Sequence, residues 1–172
     1  LMIFAAAVSR VLLYPVSFSP LIAMALFGGA VINNKKLAFL LPLLAIFLSD
    51  VLFEFFNVAP GFYGLGQVVN YSLLMLVALL GTYLKKLNLI TISGYTIASC
   101  LIFYSLSNSS VFLMSGGYYP KSFAGYMECM IAGLPFLKAN LISTASYSLL
   151  FFGAYFLATK HFQKERLAYN KI

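Results

Sequence analysis

Charged residues are scarce in this chain of 172 residues: they make up 9% of it, and only four are acidic. Hydrophobic residues make up 62%, whereas a soluble domain typically has about 25% charged and about 45–50% apolar residues. Both departures argue against a soluble domain and predict one all-α integral membrane domain over residues 1–172. The length accommodates about six helices of about 20 residues each.

Residues that bind metals or carry out catalysis are also scarce. His161 is the single histidine, and Cys100 and Cys129 show no CxxC or Cys/His spacing. A zinc site built from the usual ligands is therefore not predicted. The sequence has neither a Ser/His/Asp set nor a Gly-rich phosphate loop followed by Lys-Ser/Thr. We therefore predict no enzyme activity, no metal and no cofactor.

The basic residues indicate the topology of the chain. They give a net charge of +7 and cluster in segments 33–36, 84–86 and 160–171, which the positive-inside rule places in the cytoplasm. Such clusters at helix ends argue against nucleic-acid binding. An apolar start without a charged n-region is interpreted as a first span and not as a signal peptide.

An even number of crossings must separate the basic loops, and this parity predicts six spans with both termini cytoplasmic. The predicted spans are 1–14, 21–32, 37–56, 67–83, 89–106 and 139–159. The first outer connection is 15–19, which is part of the predicted turn 15–20. The other two outer connections are 57–66 and 107–138.

The stretch Asn108 to Asn140 is the long interval that does not read as a membrane span. It is rich in Gly, Tyr, Asn and Ser, and irregular polar chain is tolerated at membrane depth only where it is buried in protein or lines a cavity. Within it, 123–137 has the length of a re-entrant or interfacial segment. We predict that this segment is a lid over a site between helices.

Charges inside apolar segments mark candidate site residues. Arg10 either pairs with a backbone carbonyl or with Asp50, or contacts an anionic part of a ligand. Asp50 and Glu54 share one helix face, and Asp50, about one turn deeper, is the stronger candidate. We expect the following residues to surround one outward-facing cavity: Arg10, Asp50, Asn70, Tyr71, Asn108, Tyr118, Tyr119, Lys121, Glu128 and Asn140.

Small residues give segment 21–32 a surface that permits close approach between membrane helices. Ala25, Gly28 and Gly29 are the members singled out here. They serve either packing inside this protein or docking to another membrane subunit.

The order of motifs resembles a known family. The series Arg10, Ser17-Phe18-Ser19-Pro20, Ala23-Met24-Ala25-Leu26-Phe27-Gly28-Gly29-Ala30, Ser49-Asp50, Tyr119-Pro120 and Gly133-Leu134-Pro135-Phe136 resembles the DUF6580 family of small bacterial membrane proteins. The resemblance implies a location in the bacterial inner membrane and a role in transport.

Six helices with outer loops closing over a pocket are also similar to S components, the substrate-capturing subunits of energy-coupling-factor vitamin transporters. That similarity implies uptake of a vitamin or cofactor precursor and docking on an energy-coupling module. It also makes Cys129 a candidate metal ligand, with a buried structural cysteine as the alternative. A second hypothesis is a structural or accessory subunit of a larger membrane complex.

Overall fold

The computed structural model describes residues 2–12, 18–114 and 116–169, and the side chains of 7–12, 18–114 and 116–161. The regular secondary structure of these residues is entirely α-helical, and turns connect the helices. The helices are α1 (Met2–Leu12), α2 (Leu21–Val31), α3 (Lys35–Phe55), α4 (Leu65–Thr82), α5 (Leu89–Met114), α6 (Phe123–Ala132) and α7 (Leu134–Tyr169).

Local signals define several of the helix ends. Asn34 is the N-cap of α3, and its side chain accepts hydrogen bonds from the backbone N–H groups of Lys36 and Leu37. Ser122 caps α6 in the same way through Gly125 N–H. Such caps satisfy backbone donors that have no partner inside the helix.

Helix α2 is the centre of the bundle. It packs against α3, α4, α5 and α7, and eight of its 11 residues are buried. Its closest crossing is with α4, where a Cβ atom on Gly29 would lie 2.0 Å from the carbonyl oxygen of Ala78, and one on Gly81 would lie 2.4 Å from that of Leu26. The two glycines therefore allow the two backbones to touch.

Ala25, Gly28 and Gly29 are all buried in this arrangement. A Cβ atom on Gly28 would lie 3.2 Å from the carbonyl oxygen of Ala38 in α3. The structure thus uses these three residues for packing inside the chain, and they present no free surface to a second subunit.

Four helices in the described residues are long and apolar enough to cross a membrane: Lys35–Phe55, Leu65–Thr82, Leu89–Met114 and Leu134–His161. Helix α2, a predicted span, has 11 residues. Such a helix is about 16 Å long, which is about half the thickness of a hydrocarbon core of about 30 Å. Helix α1 also has 11 residues, while residues 13–17, including the first half of the predicted turn 15–20, lie outside the described residues.

Segment 108–140, predicted as a polar outer segment with a short re-entrant or interfacial piece over 123–137, is more helical than that prediction. Helix α5 continues to Met114, eight residues past its predicted end, and α7 begins at Leu134. The polar residues of α5 fit a helix because they bond back to it: Asn108 Nδ2 donates to the carbonyl of Tyr104, and Ser109 Oγ donates to that of Ser105. Pro135 lies in the first turn of α7, where its missing N–H group has no helical partner to lose.

The helix contacts define two ends of the bundle. The loop-rich end holds the C-terminal ends of α3 and α5, the N-terminal ends of α2, α4 and α7, and α6, which packs on α5 and α7. The basic end holds the opposite helix ends, with Lys35, Lys36, Lys85 and Lys86. All of the charged contacts described below lie at the loop-rich end.

Candidate functional site

The Asp50 carboxylate is the centre of a polar cluster that joins three helices. Asp50 lies near the end of α3 and is fully buried. Its Oδ1 atom lies 2.5 Å from Nη1 of Arg10 on α1. Its Oδ2 atom accepts hydrogen bonds from Gln67 Nε2 at 3.0 Å and from the Tyr71 hydroxyl at 2.9 Å, both on α4.

The surroundings of the pair satisfy its remaining polar groups. Arg10 Nη1 also donates to Ser49 Oγ at 2.6 Å, and the guanidinium carbon lies 4.8 Å from the centre of the Phe53 ring. A buried ion pair stabilises a fold only when such additional bonds offset the cost of removing both charges from water. The cluster therefore fixes α1, α3 and α4 relative to one another.

Glu54 shares the helix face of Asp50 but has a different role. It is exposed, and its Oε2 accepts the backbone N–H of Gly61 at 3.0 Å. Gly61 is required there because a Cβ atom would lie 2.0 Å from the carbonyl oxygen of Asp50. The connection from α3 to α4 is thus held against the end of α3, directly above the buried carboxylate.

A cavity of about 170 Å³ lies beside this cluster, and we call it the Arg10 cavity. Its walls come from α1 and from the N-terminal end of α2, together with residues of α3, α4, α5 and α7. The lining residues used below are Arg10, Ser19, Ile22, Asn70, Phe103 and Asn140.

A second cavity of about 420 Å³, the Tyr119 cavity, lies between α5, α6 and the start of α7. Its lining includes Tyr104, Ser107, Asn108, Tyr119, Cys129 and Phe136. Phe103 and Asn140 line both cavities, so these two side chains form the partition between them.

Helix α6 is tied over the Tyr119 cavity by direct contacts. The Tyr104 hydroxyl donates to the backbone carbonyl of Met130. Cys129 is buried, and its Sγ lies 3.5 Å from the carbonyl oxygen of Asn108. Gly133, between α6 and α7, leaves room for the Asn108 side chain, because a Cβ atom there would lie 2.3 Å from Asn108 Oδ1.

Tyr119 lies in the connection between α5 and α6 and lines the Tyr119 cavity. Burial raises the pKa of its phenol above the ordinary tyrosine value, and the nearby Cys129 thiol and Tyr118 phenol raise it further. A tyrosine hydroxyl is protonated at neutral pH even at its ordinary pKa of about 10, so Tyr119 offers a hydrogen-bond donor in the lining of the cavity.

The structure brings seven of the ten predicted site residues to the cavities or their supporting cluster. Arg10, Asn70 and Asn140 line the Arg10 cavity, Asp50 and Tyr71 hold Arg10 in place, and Asn108 and Tyr119 line the Tyr119 cavity. Tyr118, Lys121 and Glu128 are exposed and line neither cavity.

Lys121 has a structural role instead. Its Nζ donates to the carbonyl oxygens of Phe112 and Leu113 at 2.5 and 3.2 Å, at the C-terminal end of α5. A cation there satisfies carbonyl groups that have no helical partner and interacts favourably with the helix dipole.

Sequence reasoning missed three residues that matter here. Gln67 donates hydrogen bonds to both Asp50 and Tyr71. It lies one helical turn before Tyr71 on the same helix face, and this spacing is the sequence signal that could have identified it. Phe103 and Ser107 also lie one turn apart, on the α5 face that lines the Tyr119 cavity. Phe103 carried no signal in an apolar helix, and Ser107 was placed in the outer connection 107–138 without being singled out.

Cation-binding clusters are absent from the described part of the chain: no group of three or more His, Cys, Asp or Glu side chains is suitably placed for a metal. The four long apolar helices support a helical membrane protein. The chain belongs to DUF6580, described as a family of unknown function, whose model matches residues 1–166. Comparisons with curated proteins and with solved structures gave no match.

Proposed function

We propose that this protein is a membrane-embedded substrate-binding subunit for the uptake of a small molecule, similar in role to an S component. The observation that supports this proposal is the pair of cavities at the loop-rich end, which share Phe103 and Asn140 as lining residues. Ligand sites typically occupy about 300–1,000 Å³ and combine aromatic walls with a few polar groups. The two cavities together have that size and composition.

The polar groups of the walls support binding in preference to simple packing. The backbone carbonyl of Asn140 accepts bonds from Cys100 and Ser143, but its side-chain carboxamide has no hydrogen bond to any described residue. Asn140 is partly exposed and lines both cavities, so its carboxamide donor and acceptor are available to a ligand.

The placement of charge supports a direction for uptake. The cavities lie at the end opposite Lys35, Lys36, Lys85 and Lys86. With the basic end cytoplasmic, the site faces outward in a bacterial inner membrane and both termini lie inside. The short helices α1 and α2 then complete a six-helix arrangement around the site, with α6 as its lid.

The alternative is an accessory subunit of a larger membrane complex. It requires a surface for another protein, and the small-residue segment that suggested one is buried against α3 and α4. The substrate-binding role therefore has the stronger support.

The test is the recovery of small molecules from protein purified gently out of its native membrane. Ser107 lines the Tyr119 cavity, whereas Ser146 is exposed on α7 and lines neither cavity. Ser107→Phe should therefore lose a molecule that mass spectrometry detects in extracts of the wild-type protein, and Ser146→Phe should retain it. Equal extracts from the two variants, or no enrichment over a mock purification, would contradict the proposal.

A further inference from the structure

We infer that the Arg10 cavity binds a single carboxylate group of the ligand and that the Tyr119 cavity holds the uncharged remainder. This inference rests on the proposed function and names the chemical class of its substrate: a small monocarboxylate with a neutral polar or aromatic portion.

The first argument is the presentation of the Arg10 guanidinium. Both of its described hydrogen bonds, to Ser49 and Asp50, use Nη1. A guanidinium has five N–H donors in a planar fork that matches a carboxylate. Because the side chain is 21% exposed and lines the cavity, a carboxylate there can approach the nitrogens that Asp50 does not use.

The second argument concerns how much negative charge the cavity tolerates. Asp50 already neutralises Arg10, so the guanidinium offers hydrogen bonds to an incoming anion but little net positive charge. The first turn of α2 contributes Leu21 and Ile22 to the wall, and Ser19 lies just before it. A helix N-terminus carries an effective charge of about +0.5. Asn140 adds an amide donor, as does the N–H of Asn70 that is not used in its bond to the Tyr63 hydroxyl. Together these groups favour one negative charge and disfavour a phosphate dianion.

The third argument is size. At about 170 Å³, the Arg10 cavity is comparable to an engineered protein cavity of about 150 Å³ that binds benzene. It accommodates a carboxylate with a few carbon atoms, and the rest of a larger ligand must extend past Phe103 and Asn140. The residues that line the Tyr119 cavity are all uncharged, so that remainder is neutral.

The experiment uses three probes of one shape: benzoate, benzamide and phenyl phosphate. Binding is measured by isothermal titration to the full chain in zwitterionic lipid nanodiscs. The first variant combines Arg10→Gln with Asp50→Asn and removes both charges together. The second, Asn140→Asp, adds a carboxylate to the partition and leaves the ion pair intact.

For the wild type we expect benzoate to bind at least tenfold more tightly than benzamide or phenyl phosphate. Each variant should weaken benzoate binding at least tenfold and change benzamide binding less than threefold. If the variant that combines Arg10→Gln with Asp50→Asn fails to fold, the wild type is compared with Asn140→Asp alone.

Equal benzoate affinities in wild type and variants would overturn the inference, as would preferred binding of phenyl phosphate. Benzamide binding without benzoate binding would overturn the carboxylate assignment and leave the substrate-binding role standing. If no probe binds, the carboxylate assignment fails; if native membranes also yield no molecule, both proposals fail.

Discussion

Removal of either partner of the Arg10–Asp50 pair should destabilise the protein, and removal of both should cost clearly less than the two single effects added together. Asp50 is fully buried and Arg10 is 21% exposed, with 2.5 Å between the charged atoms. Breaking a buried pair typically costs about 3–5 kcal/mol, because an uncompensated charge remains. We expect about 3 kcal/mol for Arg10→Gln and somewhat less for Asp50→Asn, since Arg10 retains some contact with water.

The double variant Arg10→Gln/Asp50→Asn leaves two neutral amides in similar positions. Coupled contacts of this kind show interaction energies of about 0.5–3 kcal/mol, so the double variant should be clearly more stable than the sum of the single effects predicts. Glu54→Gln is the matched control, because this exposed carboxylate accepts a single backbone N–H group, and its loss should cost about 1 kcal/mol or less.

The assay is thermal unfolding in detergent, followed with a thiol-reactive fluorophore. Cys100 and Cys129 are both buried, so dye attachment reports opening of the bundle. For a chain of this size, about 3 kcal/mol corresponds to a fall in Tm of roughly 6–12 °C. Additive effects of the two single substitutions, or equal effects of Asp50→Asn and Glu54→Gln, would refute the reasoning.

Four further predictions follow from the packing of the helices. Gly29→Ala should lower Tm by several degrees, because the added Cβ would meet the Ala78 carbonyl. Gly94→Ala should be neutral or slightly stabilising, because no atom lies within 4 Å of a Cβ at that position. Equal changes in Tm would contradict the close crossing of α2 and α4. Lys121→Met should increase amide exchange near Phe112 by removing the two bonds to the end of α5, and unchanged exchange would argue against that role. Tyr71→Phe should lower the free energy of unfolding by about 1.5–3 kcal/mol, because the hydrogen bond to the Asp50 carboxylate is lost. The same unfolding assay measures this, and an unchanged stability would contradict the role of Tyr71. Native protein should react with maleimide at neither cysteine before unfolding, and rapid labelling would show that α6 opens.

The sequence was informative where physical chemistry leaves few choices. A scarcity of charge and an apolar composition predicted apolar helices, and the structure confirms a helical protein with membrane-spanning lengths. Arg10 and Asp50 were candidates because a charge in such a helix must find a partner, and each is the other's partner.

Other features depended on tertiary contacts that a sequence pattern does not encode. Polar residues such as Asn108 and Ser109 suggested a loop, yet they bond back to their own helix and α5 continues through them. Gln67 looked like an ordinary first-turn residue, and only the position of α4 beside α3 brings it to Asp50. The small-residue segment left internal packing and docking to a partner open, and its burial against four other helices favours packing. That burial is a property of the bundle and not of the segment.

The most direct test of the substrate-binding role is an experimental structure of the protein, purified gently from its native membrane with no ligand added. The account predicts density for one small molecule that passes the Phe103–Asn140 partition, with its acidic group near Arg10 and its remainder beneath α6. Empty cavities, with a second protein bound over α6 or the loop-rich end, would contradict it and favour the accessory-subunit role.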